Sequence, residues 1–120
     1  HIIKKIFEHR DKYYEFVDKR VFPEEHALEQ FRIKKYNPGG DDRFDTHVDV
    51  VDHETARRFL SYMWYLNDVE TGGETIFKDL SIQPKKGTLI MFPPIWMYPH
   101  KGNPPISGSK YILSTYLHYK

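Results

Sequence analysis

The stretch FDTHVDV, residues 44–50, alternates His47 and Asp49 with Val48 and Val50. An extended chain has a side-chain period of two, which sorts these residues into one polar and one apolar face. The alternation predicts a half-buried strand over Phe44–Val51, with the valines facing a core and His47 and Asp49 side by side on the opposite face. Two metal-capable groups on one face need a third ligand from elsewhere to form a facial 2-His-1-carboxylate set. That set leaves positions open on iron for a bidentate co-substrate and O2. Taken alone, the pair is better explained as polar residues on the exposed face of a strand. Asp52 and His53, just downstream, read as turn residues.

Outward from this stretch the texture is β throughout residues 31–119. Segments rich in Val, Ile, Thr, Tyr and Phe predict strands over Phe31–Tyr36, Arg57–Leu66, Glu74–Phe77, Leu80–Gln83, Thr88–Phe92, His100–Gly102 and Lys110–Tyr119. Gly, Pro, Asn and Asp clusters punctuate them at residues 37–40, 71–73, 84–87 and 102–108. Residues 1–20 carry Ile2, Ile3, Ile6, Tyr13, Phe16 and Val17 near one stripe with charges between, which predicts an amphipathic helix. Residues 21–30 read as a connection. Many short strands behind one helix predict a mainly β fold, an antiparallel sandwich or barrel with the helix packed outside, in a single domain spanning residues 1–120.

Composition narrows the chemistry. The 120 residues contain no Cys, which removes disulfides, iron–sulfur clusters, thiolate zinc sites and cysteine nucleophiles together. Any metal must therefore sit on His and carboxylate. A net charge of +1 supplies no electrostatic case for nucleic acid. No apolar run approaches the roughly 20 residues that span a bilayer, so no membrane partner is expected. With no Cys and no visible signal segment, the expectation is a soluble protein, intracellular rather than secreted, in a chain that starts at His1 rather than Met.

His100 follows the apolar strand at 88–92 and the Pro-bracketed loop PPIWMYPH, and Lys110 opens the segment KYILSTYLHY. On that strand Lys110, Ile112, Ser114 and Tyr116 share one face. A cation with a hydroxyl further along the same face suits the far carboxylate of a dicarboxylate ligand. Individually, His100 could equally be a hydrated loop histidine and Lys110 an edge-strand lysine that discourages strand pairing. Trp64 reads as core and Trp96 as a loop-wall residue.

Together, YNPGG, HVD, YLNDVETGGETIF, PKKGTLIMF, His100 and Lys110 resemble the prolyl 4-hydroxylase-like branch of the iron(II)/2-oxoglutarate-dependent dioxygenases, from about Phe31 to Tyr119. The resemblance implies a double-stranded β-helix, or jelly roll. It implies that His47, Asp49 and His100 ligate Fe(II) and that Lys110 pairs with the distal carboxylate of 2-oxoglutarate. Tyr65 and Tyr36 match tyrosines near the oxo-acid, and Ser114, Tyr116 and Thr75 line the same pocket. Phe44 stands where many relatives have Tyr, and Tyr116 where some have Trp. Phe44, Trp96 and Tyr98 are candidates to face substrate.

The implied activity is hydroxylation of an unactivated C–H bond with O2 and release of succinate and CO2, ascorbate serving to keep iron reduced. A prolyl residue of a peptide or protein is the implied substrate. Asp49 argues against halogenation, because family halogenases lack that carboxylate. The alternatives are an inactive jelly-roll module that binds ligand or protein, and a family oxygenase acting on a non-prolyl substrate. A cupin-like enzyme would use more histidines with a Glu, and a nucleic-acid demethylase would need a basic patch.

Overall fold

The computed structural model describes residues 1–120. In chain order it contains helix α1 (Ile2–Val17) and strands β1 (His26–Leu28), β2 (Arg32–Tyr36), β3 (Phe44–His47), β4 (Arg58–Tyr65), β5 (Thr75–Phe77), β6 (Leu80–Ile82), β7 (Leu89–Phe92), β8 (His100–Gly102) and β9 (Lys110–Tyr119). Strand β9 is the spine of the first sheet. It pairs with β4 on one side and with β1 and β2, end to end, on the other, and β7 completes the sheet beyond β4. The second sheet runs β3–β8–β5–β6. All pairings are antiparallel.

The alternation in β4 and β9 feeds two separate cores. On one face of the first sheet Phe59, Leu60, Tyr62 and Leu117 pack with Ile6 of α1. On the other face Tyr36, Tyr65, Ile90, Phe92 and Ile112 close the space between the sheets, with Phe77 and Ile82 of the second sheet against them. A register shift between Arg58 and Leu60 marks a bulge at Phe59. The extra residue lets Phe59 and Leu60 both serve the helix side while Arg58 turns toward the inter-sheet space. The two antiparallel sheets, with the helix outside, are the expected jelly-roll arrangement.

Three expectations need correction. The apolar stripe of α1 is only in part the one read from the sequence. Phe16 is 86% exposed, Ile2, Ile3 and Val17 are exposed too, and only Ile6 is buried. The sheet receives Ile6 and Tyr13 of that stripe together with Phe7 and Tyr14, and the Tyr62 hydroxyl donates to the Ile6 carbonyl at 3.2 Å. Residues 6, 10, 13 and 14 share one helical face, and Arg10 on that face lies over the Phe7 ring and 2.7 Å from His26 Nε2. Next, the connection at 21–30 holds strand β1, which pairs with the end of β9.

The third correction concerns β3, which ends at His47 rather than Val51. Three steps along β3, from Phe44 to His47, oppose two along β8, from Gly102 to His100. The strand therefore bulges and then leaves the sheet. The Val50 amide donates to the Pro94 carbonyl at 2.9 Å, and Arg58 donates to the Asp49 carbonyl at 3.1 Å. Those bonds hold a bend through residues 48–50 in place of pleated strand. Val48 consequently lines the inter-sheet cavity instead of facing away from it.

Candidate active site

Strand β8 lies beside β3 so that His47 and His100 are direct cross-strand partners. Their ring centroids are 4.5 Å apart. Asp49 swings in from the bend, placing Oδ1 3.3 Å from His47 Nε2 and 3.7 Å from His100 Nε2. The three ligand atoms lie within 4.8 Å of one another.

Each imidazole is oriented in the same way. His47 Nδ1 is 2.7 Å from the Asp45 carbonyl and His100 Nδ1 is 3.1 Å from the Tyr98 carbonyl. A carbonyl only accepts, so each Nδ1 carries a proton and each Nε2 is the atom turned to the shared centre, where the neutral imidazole offers its lone pair. The hydrogen bond to Asp49 raises the pKa of His47, whereas burial lowers that of His100. Burial pushes the Asp49 carboxyl up, but His47, His100 and the Tyr116 hydroxyl more than offset it, and the group stays an anion. Two neutral nitrogen donors and one carboxylate, converging on one point with the cavity open beside them, fit a facially coordinated divalent metal.

The cavity between the sheets measures about 280 Å³. At one end lies Lys110, only 3% exposed. It is not the edge lysine that its sequence context allowed, because β9 is flanked on both sides. Its Nζ donates to the Gly73 carbonyl at 3.0 Å and sits 4.6 Å over the Tyr36 ring, and it forms no ion pair. Burial pushes its pKa down from 10.5 to about 8, against the attraction of Glu74. The glycine pair before it is a structural requirement. Gly72 and Gly73 have φ of +79° and +76°, and a Cβ at Gly73 would meet Lys110 Cδ at 3.3 Å.

The structure places most other sequence-predicted residues on this cavity. Tyr36, Phe44, Thr75, Ser114 and Tyr116 line it. Tyr65 is fully buried behind it, its hydroxyl bonded to Thr75 Oγ1 and to the Ile82 carbonyl. Tyr65 therefore reaches the cavity through Thr75. Trp96 and Tyr98 are not brought to it. They are 78% and 39% exposed and absent from its wall, and Tyr98 contributes its carbonyl to His100 rather than its ring.

Among the cavity residues that escaped the sequence reading are Arg58, Arg32 and Lys34. Arg58 is held by Glu29 at 3.0 Å, stacks 4.2 Å from the Tyr116 ring centroid and grips the Asp49 carbonyl. Nothing local in the sequence singles it out. Arg32 and Lys34 share a face of β2 with Tyr36, and the period-two phase that assigned Tyr36 to the pocket could have found them.

These features bring two histidines and one carboxylate together as a set that could hold a metal ion, inside a jelly roll and with a buried cation on the same cavity. The family model for the 2OG-Fe(II) oxygenase superfamily matches residues 31–118, and the chain belongs to that family. Among curated relatives, human prolyl 4-hydroxylase subunit alpha-1 is 25% identical over 110 residues, covering 77% of this chain and 20% of its own length. A probable prolyl 4-hydroxylase 3 of Arabidopsis thaliana is 27% identical over 147 residues, covering 91% of this chain and 50% of its own. The chain thus spans about a fifth of the human relative and half of the plant one.

Among solved structures, a viral collagen prolyl hydroxylase from Paramecium Bursaria Chlorella virus-1, as a 2OG complex, superposes with a TM-score of 0.79 at 27% identity. That match covers 99% of this chain and 73% of the viral one. A Trichoplax adhaerens prolyl hydroxylase in complex with a hypoxia inducible factor peptide shares the fold, with a TM-score of 0.74 at 18% identity and coverage of 97% and 56%. The prolyl 4-hydroxylase-like resemblance and the jelly-roll fold are thus borne out. No helix is long and apolar enough to cross a membrane.

Proposed function

We propose that this chain is an Fe(II)- and 2-oxoglutarate-dependent dioxygenase that hydroxylates a prolyl residue of a peptide or protein, releasing succinate and CO2. The observation that carries the reading is one cavity holding both the convergent His47–Asp49–His100 donors and the buried, unpaired ammonium of Lys110. A module that binds nothing in this cavity has no need of either, since both incur burial costs that a ligand would offset.

His47, Asp49 and His100 would hold iron(II), their Nε2 and carboxylate atoms fixed by the Asp45, Tyr98 and Arg58 contacts. Lys110 would hold the distal carboxylate of 2-oxoglutarate as a point charge. Tyr36, Thr75, Ser114 and Tyr116 would supply the polar wall, with Tyr65 orienting Thr75. When bound, iron(II) and 2-oxoglutarate supply the oxygen activation and the reducing electrons for C–H hydroxylation. Phe92 and Ile112, together with the stem of Lys110, keep that end of the cavity dry. Phe44, whose tilted ring lies 5.2 Å from that of His47, is the aromatic residue placed to meet a substrate at the mouth.

Anaerobic titration with iron(II) and 2-oxoglutarate tests metal and co-substrate together. A weak visible charge-transfer band is expected, lost in His47→Ala and Asp49→Ala. A proline-peptide panel scored for a mass gain of one oxygen, with ascorbate present, then tests the substrate class. Undiminished succinate production by either variant refutes the site.

A further inference from the structure

Strand β2 carries more positive charge into the cavity than the proposed reaction uses. Its register against β9 pairs Tyr36 with Lys110, Lys34 with Ile112 and Arg32 with Ser114. Cross-strand partners point to the same side of a sheet, so these residues form one wall. All of them line the cavity. Same-face positions are about 7 Å apart along a strand. The cations thus form a ladder: Lys110 deep, Lys34 midway and Arg32 at the mouth.

The ladder is not neutralised within the protein. Of the other cations lining the cavity, Arg58 is matched by Glu29, and Lys101 of β8 is exposed and carries no ion pair. Lys34 and Arg32 form no ion pair. Lys34 is half-buried and reaches across to β3, its Nζ 5.0 Å from the Phe44 ring centroid. Burial pushes its pKa down, opposed by the Asp49 carboxylate. Arg32 also borders a second cleft with Glu29 and Glu54, but Glu29 is already engaged by Arg58 and His118, and Glu54 forms no ion pair with Arg32. In the proposed loaded site, iron(II) and Lys110 are balanced, charge for charge, by Asp49 and the two carboxylates of 2-oxoglutarate. Lys34 and Arg32 remain, flanking Phe44 at the entrance.

Resting on the dioxygenase reading above, we propose that Lys34 and Arg32 form a subsite for an acidic side chain, so that the favoured peptide carries Asp or Glu close to the hydroxylated residue. An incoming carboxylate would meet a partly desolvated ammonium first screened by Arg32, where a charge-assisted hydrogen bond is stronger than in open water. A peptide with Lys at the same place would bring like charges together in that setting.

The experiment compares proline peptides that differ only in bearing Asp or Glu, the matching amide, or Lys within about two residues of the proline, the reach of one pleat. Binding is read by fluorescence anisotropy on the full chain with metal and 2-oxoglutarate but without O2, and turnover by the mass gain of one oxygen. The acidic peptide is expected to bind about tenfold more tightly than its amide twin, with the ratio shrinking as salt rises. Lys34→Ala and Arg32→Ala should each compress that ratio, and Lys34→Glu should invert it in favour of the Lys peptide. Equal binding of the acidic and amide peptides overturns the subsite. So does an intact ratio in the double alanine variant alongside a raised KM for 2-oxoglutarate, which would assign both cations to the oxo-acid. Because binding is read directly, an acidic preference without succinate formation supports the subsite and refutes only the enzymatic reading.

Discussion

Replacing Lys110 with methionine should make the ligand-free protein more stable while removing its hold on 2-oxoglutarate. Lys110 is buried with a single hydrogen bond, to the Gly73 carbonyl, and no carboxylate partner. Burial lowers its pKa from 10.5 to about 8. At about 1.4 kcal/mol for each tenfold change in proton affinity, holding the charged form at pH 7 costs about 3 kcal/mol. Methionine keeps the unbranched stem and packs adaptably, but leaves the Gly73 carbonyl without its donor, a loss of about 1 kcal/mol. The net expectation at pH 7 is a gain of about 2 kcal/mol.

The pH dependence follows from the direction of the shift. The folded pKa lies below the unfolded one, so between about 8 and 10.5 the unfolded chain binds more protons and the wild type gains stability as pH rises. The advantage of Lys110→Met should be full below about 8, shrink across that window, and reverse above it. Urea denaturation followed by tryptophan fluorescence, at several pH values, measures this directly. Adding metal and 2-oxoglutarate at about 100 times the dissociation constant should stabilise the wild type by about 2.7 kcal/mol and the variant by the metal's contribution alone. A Lys110→Met protein less stable than wild type at pH 7, or a difference insensitive to pH between 8 and 10 (within the window set by the shifted pKa), would refute the reasoning.

Glu29→Gln should destabilise the fold by about 3 kcal/mol in the same denaturation assay, because Glu29 alone faces both Arg58 and His118, at 3.0 and 2.8 Å. Because Arg58 also holds the Asp49 carbonyl, this variant should bind iron(II) more weakly, read by titration of the charge-transfer band. Gly72→Ala should cost at least about 3 kcal/mol and lower expression, since φ is +79° and a Cβ would lie 2.5 Å from the Pro104 carbonyl oxygen. A near-neutral thermal shift for that variant would show that the 72–73 turn can relax.

The legible parts of the chain were those governed by local periodicity. Strands β2, β4 and β9 lie within a residue or so of their predicted spans, because alternating burial is a local signal. The pocket face Lys110–Ile112–Ser114–Tyr116 follows from the pleat of one strand, and all four residues line the cavity. The helix stripe was partly misread because Ile2, Ile3 and Phe16 are apolar yet remain exposed, whereas Arg10 lies on the packed face. Which side of a helix faces a sheet depends on where the sheet is.

The sequence by itself determined the order and chemistry of the site: a His and an Asp two residues apart, a distal His, a cation ten residues later, and no Cys to compete for metal. Tertiary structure decided how they meet. His47 finds His100 through the β3–β8 register, and Asp49 joins them from a bend held by Arg58 and Pro94, not from the strand face its spacing suggested. It also set Lys110 in the middle of a sheet and ranged Lys34 and Arg32 above it. A side chain's phase is written in its neighbours along the chain. Its partners are set by strand pairing between distant segments, which forms only when the whole core closes.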